Sequence, residues 1–211
     1  MILLIGGEKG GSGKSTVACN LAAYLAHKGK DVLLVDADPQ KTSATWATRR
    51  NESYNDMPKI NIAEKTGDIY EAINDWSTRY EEIIIDTGGR DSKELRSGLM
   101  VANSLYIPIK PSQVDIDTLG KMNDLAKQAQ AMNRGLTCTA MINQAPTNPN
   151  MADVKETQAI LSELPEFKKS IAVLRYRSSY WRTMGVGLSL VEYEDTKAKD
   201  EIVALGEEVF A

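Results

Sequence analysis

The sequence predicts an α/β protein, a mostly parallel twisted sheet with helices on both faces, and three observations predict it. Short apolar runs recur at 2–5, 32–35, 83–85, 105–109 and 137–142, each bounded by Gly, Pro, Asp or Asn and followed by a stretch of helical length. The runs are apolar on both faces, as strands covered from two sides must be. The first run leads directly into a glycine-rich loop that opens a helix, and in such sheets ligands collect at the carboxyl edge of the strands.

Taken in order, the run 2–5 ends at the glycine loop, and a helix is expected over 15–28, where Leu21 and Leu25 share a face. The run 32–35 delivers Asp36-Ala37-Asp38-Pro39-Gln40, with Pro39 stopping the strand. After a loop-rich interval at 51–59, a helix over 66–79 is marked by Ile69 and Ile73. The run 83–85 exits into Asp86-Thr87-Gly88-Gly89 and a helix over 92–103, and the run 105–109 exits through Lys110-Pro111-Ser112 into a helix over 115–133. The run 137–142 ends at Asn143 and a second loop-rich interval at 145–150, before helices over 151–164 and 196–210. No repeat or low-complexity linker interrupts the chain, so a single domain over 1–211 is expected.

Composition bounds the function. A chain of 211 residues that is 42% hydrophobic can bury one sizeable core. A net charge of -4 provides no global basic field, so any nucleic-acid site has to be regional. Cys19 and Cys138 lie far apart, with neither zinc-ligand nor disulfide-framework spacing. The apolar start is too short for a signal-peptide core and no window reaches the length of a membrane span, so a cytoplasmic protein with no membrane partner is expected.

The chemistry concentrates at residues 9–16, Lys-Gly-Gly-Ser-Gly-Lys-Ser-Thr. Gly10, Gly11, Ser12 and Gly13 allow successive backbone N–H groups to converge on phosphate oxygens at a helix N-terminus, with Ser15 and Thr16 opening the helix. Lys14 adds a full positive charge for the β and γ phosphates, and the Ser15 hydroxyl is a ligand for Mg²⁺. The strict pattern G-x-x-x-x-G-K-[ST] would place glycine where this chain has Glu8. Asp86, ending a hydrophobic strand, is placed to hold a Mg²⁺-bound water, and Gly88-Gly89 permits close backbone approach to the γ-phosphate.

The arrangement K-G-G-x-G-K-[ST] at 9–15 resembles the deviant Walker A family, which includes ParA partition ATPases, MinD and the nitrogenase iron protein. The resemblance extends through Asp36–Gln40 and the strand ending at Asp86, and more loosely beyond residue 110. It implies an ATPase using ATP and Mg²⁺, a homodimer when ATP-bound, and Lys9 as the lysine that reaches the partner's nucleotide. It implies further that Asp38 positions or deprotonates the attacking water and that Asp36 stands near the Mg²⁺ shell. Asn143 falls where the family contacts adenine, with a plain turn asparagine as the alternative. Asp115 either leads into a dimer-facing helix or simply caps one.

Residues 166–182 hold five basic residues against one acid, with Tyr176, Tyr180 and Trp181 interleaved. Arg175, Arg177 and Arg182 are the candidates for nonspecific contact with DNA phosphates, a solvated charged face being the competing reading. Resemblance to the small ParA type implies nonspecific DNA binding by the ATP dimer, nucleoid association in that state, and a ParB-like adaptor that stimulates slow hydrolysis. Arg90 is the one arginine near the cradle, so charge on the γ-phosphate is expected to lack its strongest stabiliser until a partner arrives. With the first strand at 2–5, the DNA-binding extension of larger partition ATPases, and with it autorepression of an operon, is not expected. The acidic final segment argues against a membrane-targeting helix, and Cys138 alone does not provide an iron–sulfur bridge. A positioning ATPase for a conjugation complex or a protein compartment, and an ATP-gated dimerising scaffold with negligible turnover, remain the alternatives.

Overall fold

In a computed structural model that describes residues 1–148 and 151–211, seven strands form one sheet. They are β1 (Ile2–Ile5), β2 (Val32–Ala37), β3 (Asn61–Glu64), β4 (Glu82–Thr87), β5 (Ser104–Ile109), β6 (Thr137–Ala145) and β7 (Lys168–Arg175). Their order is β3-β2-β4-β1-β5-β6-β7, and every neighbouring pair is parallel. The five central strands are the five apolar runs.

The edges are where the structure departs from the sequence reading. β3 has four residues with Asn61 and Glu64 exposed, and β7 opens on exposed Lys168 and Lys169 with Ile171 facing solvent. Charged, short or one-sided edge strands discourage pairing with another chain, and the same features remove the continuous apolar signal. The interval 145–150 begins inside β6 at Ala145, and residues 149–150 lie outside those described.

The helices are α1 (Lys14–His27), α2 (Thr42–Ser53), α3 (Tyr70–Ser77), α4 (Lys93–Val101), α5 (Gln113–Ile116), α6 (Leu119–Met132), α7 (Ala152–Leu161), α8 (Ser178–Val186) and α9 (Thr196–Val209). The helix expected over 115–133 is divided into α5 and α6, while α2 and α8 are additions. Among the described residues no helix is long and apolar enough to cross a membrane.

Side-chain alternation along the central strands feeds two cores. Leu3, Ile5, Leu34 and Ile84 pack with Leu21, Trp46 and Ile202, whereas Leu4, Leu33, Ile83 and Ile85 pack on the other face with Leu95, Leu99 and Leu125. Helices therefore cover both faces. The parallel register also sets Ile5, Asp36 and Asp86 abreast on β1, β2 and β4, so one level of the sheet carries the phosphate-loop entry and two carboxylates.

α2 is fastened by a buried ion pair. Arg50, 1% exposed, donates to both Glu192 oxygens at 2.6 and 2.5 Å, and His27 shares one of those oxygens at 2.6 Å. Burial opposes ionisation of Glu192, yet Arg50, the Ser189 amide and His27 outweigh it and hold the carboxyl below its usual range. Removing one member leaves a buried charge alone, so Glu192→Ala should cost about 3–5 kcal/mol. Because the folded carboxyl titrates below the unfolded one, this stability is present above the ordinary glutamate range and lost as pH falls through the folded value. Chemical denaturation of both proteins across a pH series checks it: the gap between them should narrow in acid.

Candidate functional site

The glycine loop between β1 and α1 wraps a polar cavity of about 570 Å³ lined by loop residues together with Asp38, Gln40, Gly88, Arg90 and Gln144. Gly13 sits at φ 91°, and a Cβ there would lie 2.3 Å from the Asn143 amide nitrogen. Only glycine satisfies both demands. Asn143 donates to the Ser12 carbonyl at 2.7 Å and Gln144 to the Gly11 carbonyl at 3.1 Å, so the exit of β6 braces the loop from behind. Gln144 was not singled out by the sequence; its contact comes from a side chain aimed by a left-handed backbone (φ 55°) that no motif encodes.

Lys14 is buried, and its ammonium donates to the Lys9 carbonyl at 2.7 Å, a geometry that folds the loop around the lysine. Burial lowers its pKa, opposed by the carboxylates of Asp86, Asp38 and Asp115. Lys9 is half-buried. Lys110 places its ammonium 3.9 Å from where a Cβ on Gly11 would be.

The three aspartates differ. Asp36 accepts from the Asp38 amide at 3.0 Å and from the Ala44 amide at 2.8 Å, so its carboxylate satisfies the first turn of α2 while its charge acts on Asp86. Asp38 lines the cavity, accepts from the Gln40 amide at 3.0 Å, and lies 3.3 Å from a Cβ built on Gly88. Asp86 is fully buried and neither of its oxygens has a hydrogen-bond partner. Burial pushes its pKa up to about 7 and the Asp36 charge adds to this, while the facing hydroxyls of Ser15 and Ser43 and the Lys14 ammonium oppose it. Those hydroxyls stand near without reaching hydrogen-bond geometry.

A buried carboxylate without donors is costly. A divalent cation removes that cost, and Mg²⁺ is held through few protein oxygens together with water and phosphate. Ser15 and Asp86 therefore fit Mg²⁺, with Asp36 beside them. Asp115 is also buried, with one oxygen accepting from Ser112 at 2.8 Å, the other unpartnered, and its charge felt at Lys14.

A second cavity of about 220 Å³ shares Gly13, Thr16, Thr42 and Gln144 with the first and continues between Asn143 and an aromatic wall of Tyr176, Tyr180 and Trp181. The Tyr176 and Trp181 rings lie 5.2 Å apart, tilted by 43°. Two of the candidate DNA-contacting arginines flank this cavity. Arg177 donates to Glu201 at 3.0 and 2.7 Å, and Arg175 donates to the Pro146 carbonyl at 2.6 Å. Each guanidinium thus has a partner within the protein beside the cavity while remaining partly exposed. Arg182 remains exposed on α8. The larger, more apolar cavity of about 680 Å³, lined by Tyr70, Leu99, Met100 and Met132 together with Asp68, Lys93 and Arg96, includes none of the phosphate-loop residues or candidate aspartates.

Residues 3–197 match the family described as the CobQ/CobB/MinD/ParA nucleotide binding domain. The chain is 29% identical over 196 residues to "Maintenance of carboxysome distribution protein A" of Gloeobacter kilaueensis, covering 91% of this chain and 84% of the relative. It is 28% identical over 135 residues to "Protein ParA" of Rhizobium radiobacter, covering 63% and 60% respectively. Among solved structures, the septum site-determining protein MinD complexed with Mg-ADP from Pyrococcus horikoshii superposes with a TM-score of 0.76 at 18% identity, covering 99% of this chain and 95% of that one.

Proposed function

The chain belongs to the CobQ/CobB/MinD/ParA nucleotide-binding family, and on that premise we propose that it is a single-domain Mg²⁺-dependent ATPase over 1–211 that dimerises on ATP and positions DNA or another cargo. One observation carries the ATPase part: the buried Asp86 carboxylate, without a hydrogen-bond partner, stands behind Ser15 and Lys14, which line the polar cavity. ATP would place its phosphates along Gly10–Thr16 and its adenine in the second cavity, between Asn143 and the Trp181 side. Mg²⁺, held by Ser15 and the Asp86 side of the site, neutralises phosphate charge when bound. Asp38 orients the attacking water and accepts its proton, and Lys9, half-buried on the phosphate loop, is available to a second subunit's nucleotide.

For nonspecific DNA contact, the candidates are Arg175, Arg177 and Arg182, of which Arg182 is the most exposed. Arg49, exposed on α2, donates to the Met184 carbonyl of the same helix, α8, at 3.2 Å. A ParB-like adaptor would then stimulate hydrolysis and release the dimer. The long match to a carboxysome-distribution protein favours a second reading in which the cargo is a protein compartment carried by the same cycle.

Phosphate release and the binding of arbitrary duplex DNA, each measured with ATP and with ADP across a salt series, test this. Asp38→Ala should lower phosphate release about 100-fold or more, the usual worth of a positioned base. Arg182→Ala should weaken DNA binding in the ATP state and reduce the salt slope by about 1. DNA binding that ignores nucleotide and salt sinks the DNA reading and leaves the compartment cargo, and absence of Mg²⁺-dependent phosphate release sinks the ATPase reading.

A further inference from the structure

We infer that Arg90 is a catalytic residue of this site, a guanidinium supplied in cis to the γ-phosphate during hydrolysis; the inference rests on the ATPase reading above. Arg90 lines the same 570 Å³ cavity as Lys14, Asp38 and Gly88. Its backbone approach is fixed from two sides. A Cβ on Gly89 would lie 2.6 Å from both the nitrogen and the Cα of Gly10, and one on Gly88 would lie 3.3 Å from Asp38 Oδ1. The chain reaching residue 90 is therefore pressed between the phosphate loop and the carboxylate assigned to the attacking water. Two residues later Ser92 caps α4, accepting from the Leu95 amide at 3.2 Å.

The side chain, by contrast, is available. The adjacent carboxylate, Asp91, is taken by Arg96, which donates to its two oxygens at 2.7 and 2.6 Å. Glu94 attracts Arg90 from a distance, but its own carboxylate accepts from the Gly67 amide at 2.7 Å. Among the described residues Arg90 makes no hydrogen bond or ion pair and is exposed at the cavity rim. An unneutralised guanidinium on an anchored backbone beside a phosphate cavity has an evident target.

In the reaction, the water oxygen bonds to the γ-phosphorus as the bond from that phosphorus to the β–γ bridging oxygen breaks. The water proton passes to Asp38, and ADP and inorganic phosphate result. Negative charge spreads over the γ-oxygens in the loose transition state, and a planar guanidinium pairs with two of them at once. Lys14 already holds the phosphates in the ground state. Arg90, free to swing before reaction, contributes chiefly where the charge develops, so its removal lowers kcat more than it raises KM. A group that must be ordered during the reaction is poorly preorganised, so basal turnover is expected to be slow.

The test compares wild type, R90A, R90Q and R90K in the full chain by single-turnover hydrolysis, AMPPNP affinity and the affinity for ADP with aluminium fluoride, a mimic of the transferring phosphoryl group. R90A and R90Q should lose about 100-fold or more in turnover and a comparable factor in ADP–aluminium fluoride affinity, the scale expected of a transition-state arginine. AMPPNP affinity should stay within about threefold, since it reports ground-state binding. R90K should recover little, because a point charge lacks the planar fork. Turnover and ADP–aluminium fluoride binding unchanged in R90A, or a loss confined to AMPPNP affinity, overturns the inference while the ATPase reading stands. A wild type that neither binds AMPPNP nor hydrolyses ATP overturns both.

Discussion

Lys14→Ala is expected to weaken Mg²⁺-ATP binding by about 100-fold or more, since hydrogen bonds to charged groups are worth roughly 1.5–3 kcal/mol each and this lysine serves two phosphates. The geometry makes the effect large. Lys14 is 6% exposed, and burial already depresses its pKa against the pull of three carboxylates, so its charge is poorly screened and acts at short range. A bound triphosphate exchanges the Lys9 carbonyl, at 2.7 Å, for full negative charges. Equilibrium titration with a fluorescent ATP analogue measures the loss, and binding within threefold of wild type would falsify the assignment. Lys9→Ala provides the contrast. Unlike Lys14, it is not among the residues lining the phosphate cavity, so its loss should spare binding by a single subunit and impair ATP-driven dimerisation, read by light scattering.

The parts of this molecule legible in the sequence are those where backbone chemistry forces residue choice. Gly13 has to be glycine because of its φ and its contact with Asn143. Asp36 and Asp86 end central strands whose apolar runs are unbroken, so their shared level on the sheet follows once the strands are recognised. The expected family, fold and phosphate loop were therefore accessible. What stayed hidden depends on side chains meeting across long sequence distances. Arg177 and Glu201 are 24 residues apart, and without that partner Arg177 reads as a surface cation. α2 looks polar because its burial is carried by Trp46 and Ala47 together with Arg50, whose charge is matched by Glu192, 142 residues away. Edge strands β3 and β7 lack two-sided burial, the one signal by which the central strands were found.

Asp86→Asn should separate stability from function in opposite directions. In the nucleotide-free protein Asp86 is a wholly buried carboxylate whose two oxygens lack hydrogen-bond partners, and Lys14 compensates it only in part. Replacing it by a neutral, nearly isosteric amide removes a desolvated charge, which should stabilise the metal-free protein by about 1–3 kcal/mol. For a chain of this size that corresponds to a Tm increase of roughly 2–12 °C. The same substitution removes the anionic oxygens facing Ser15, so the extra stabilisation that wild type gains from Mg²⁺ and ATP together should largely disappear, since ligand stabilisation scales with binding to the folded state. Thermal unfolding with EDTA, with Mg²⁺ alone, and with Mg²⁺ plus AMPPNP reads both effects. A buried carboxylate that served only the fold would show the reverse: asparagine would lower Tm in EDTA and leave the nucleotide shift intact. The proposed metal role requires a folded state that is less stable than it could be, with the deficit located at the atom that meets the cation.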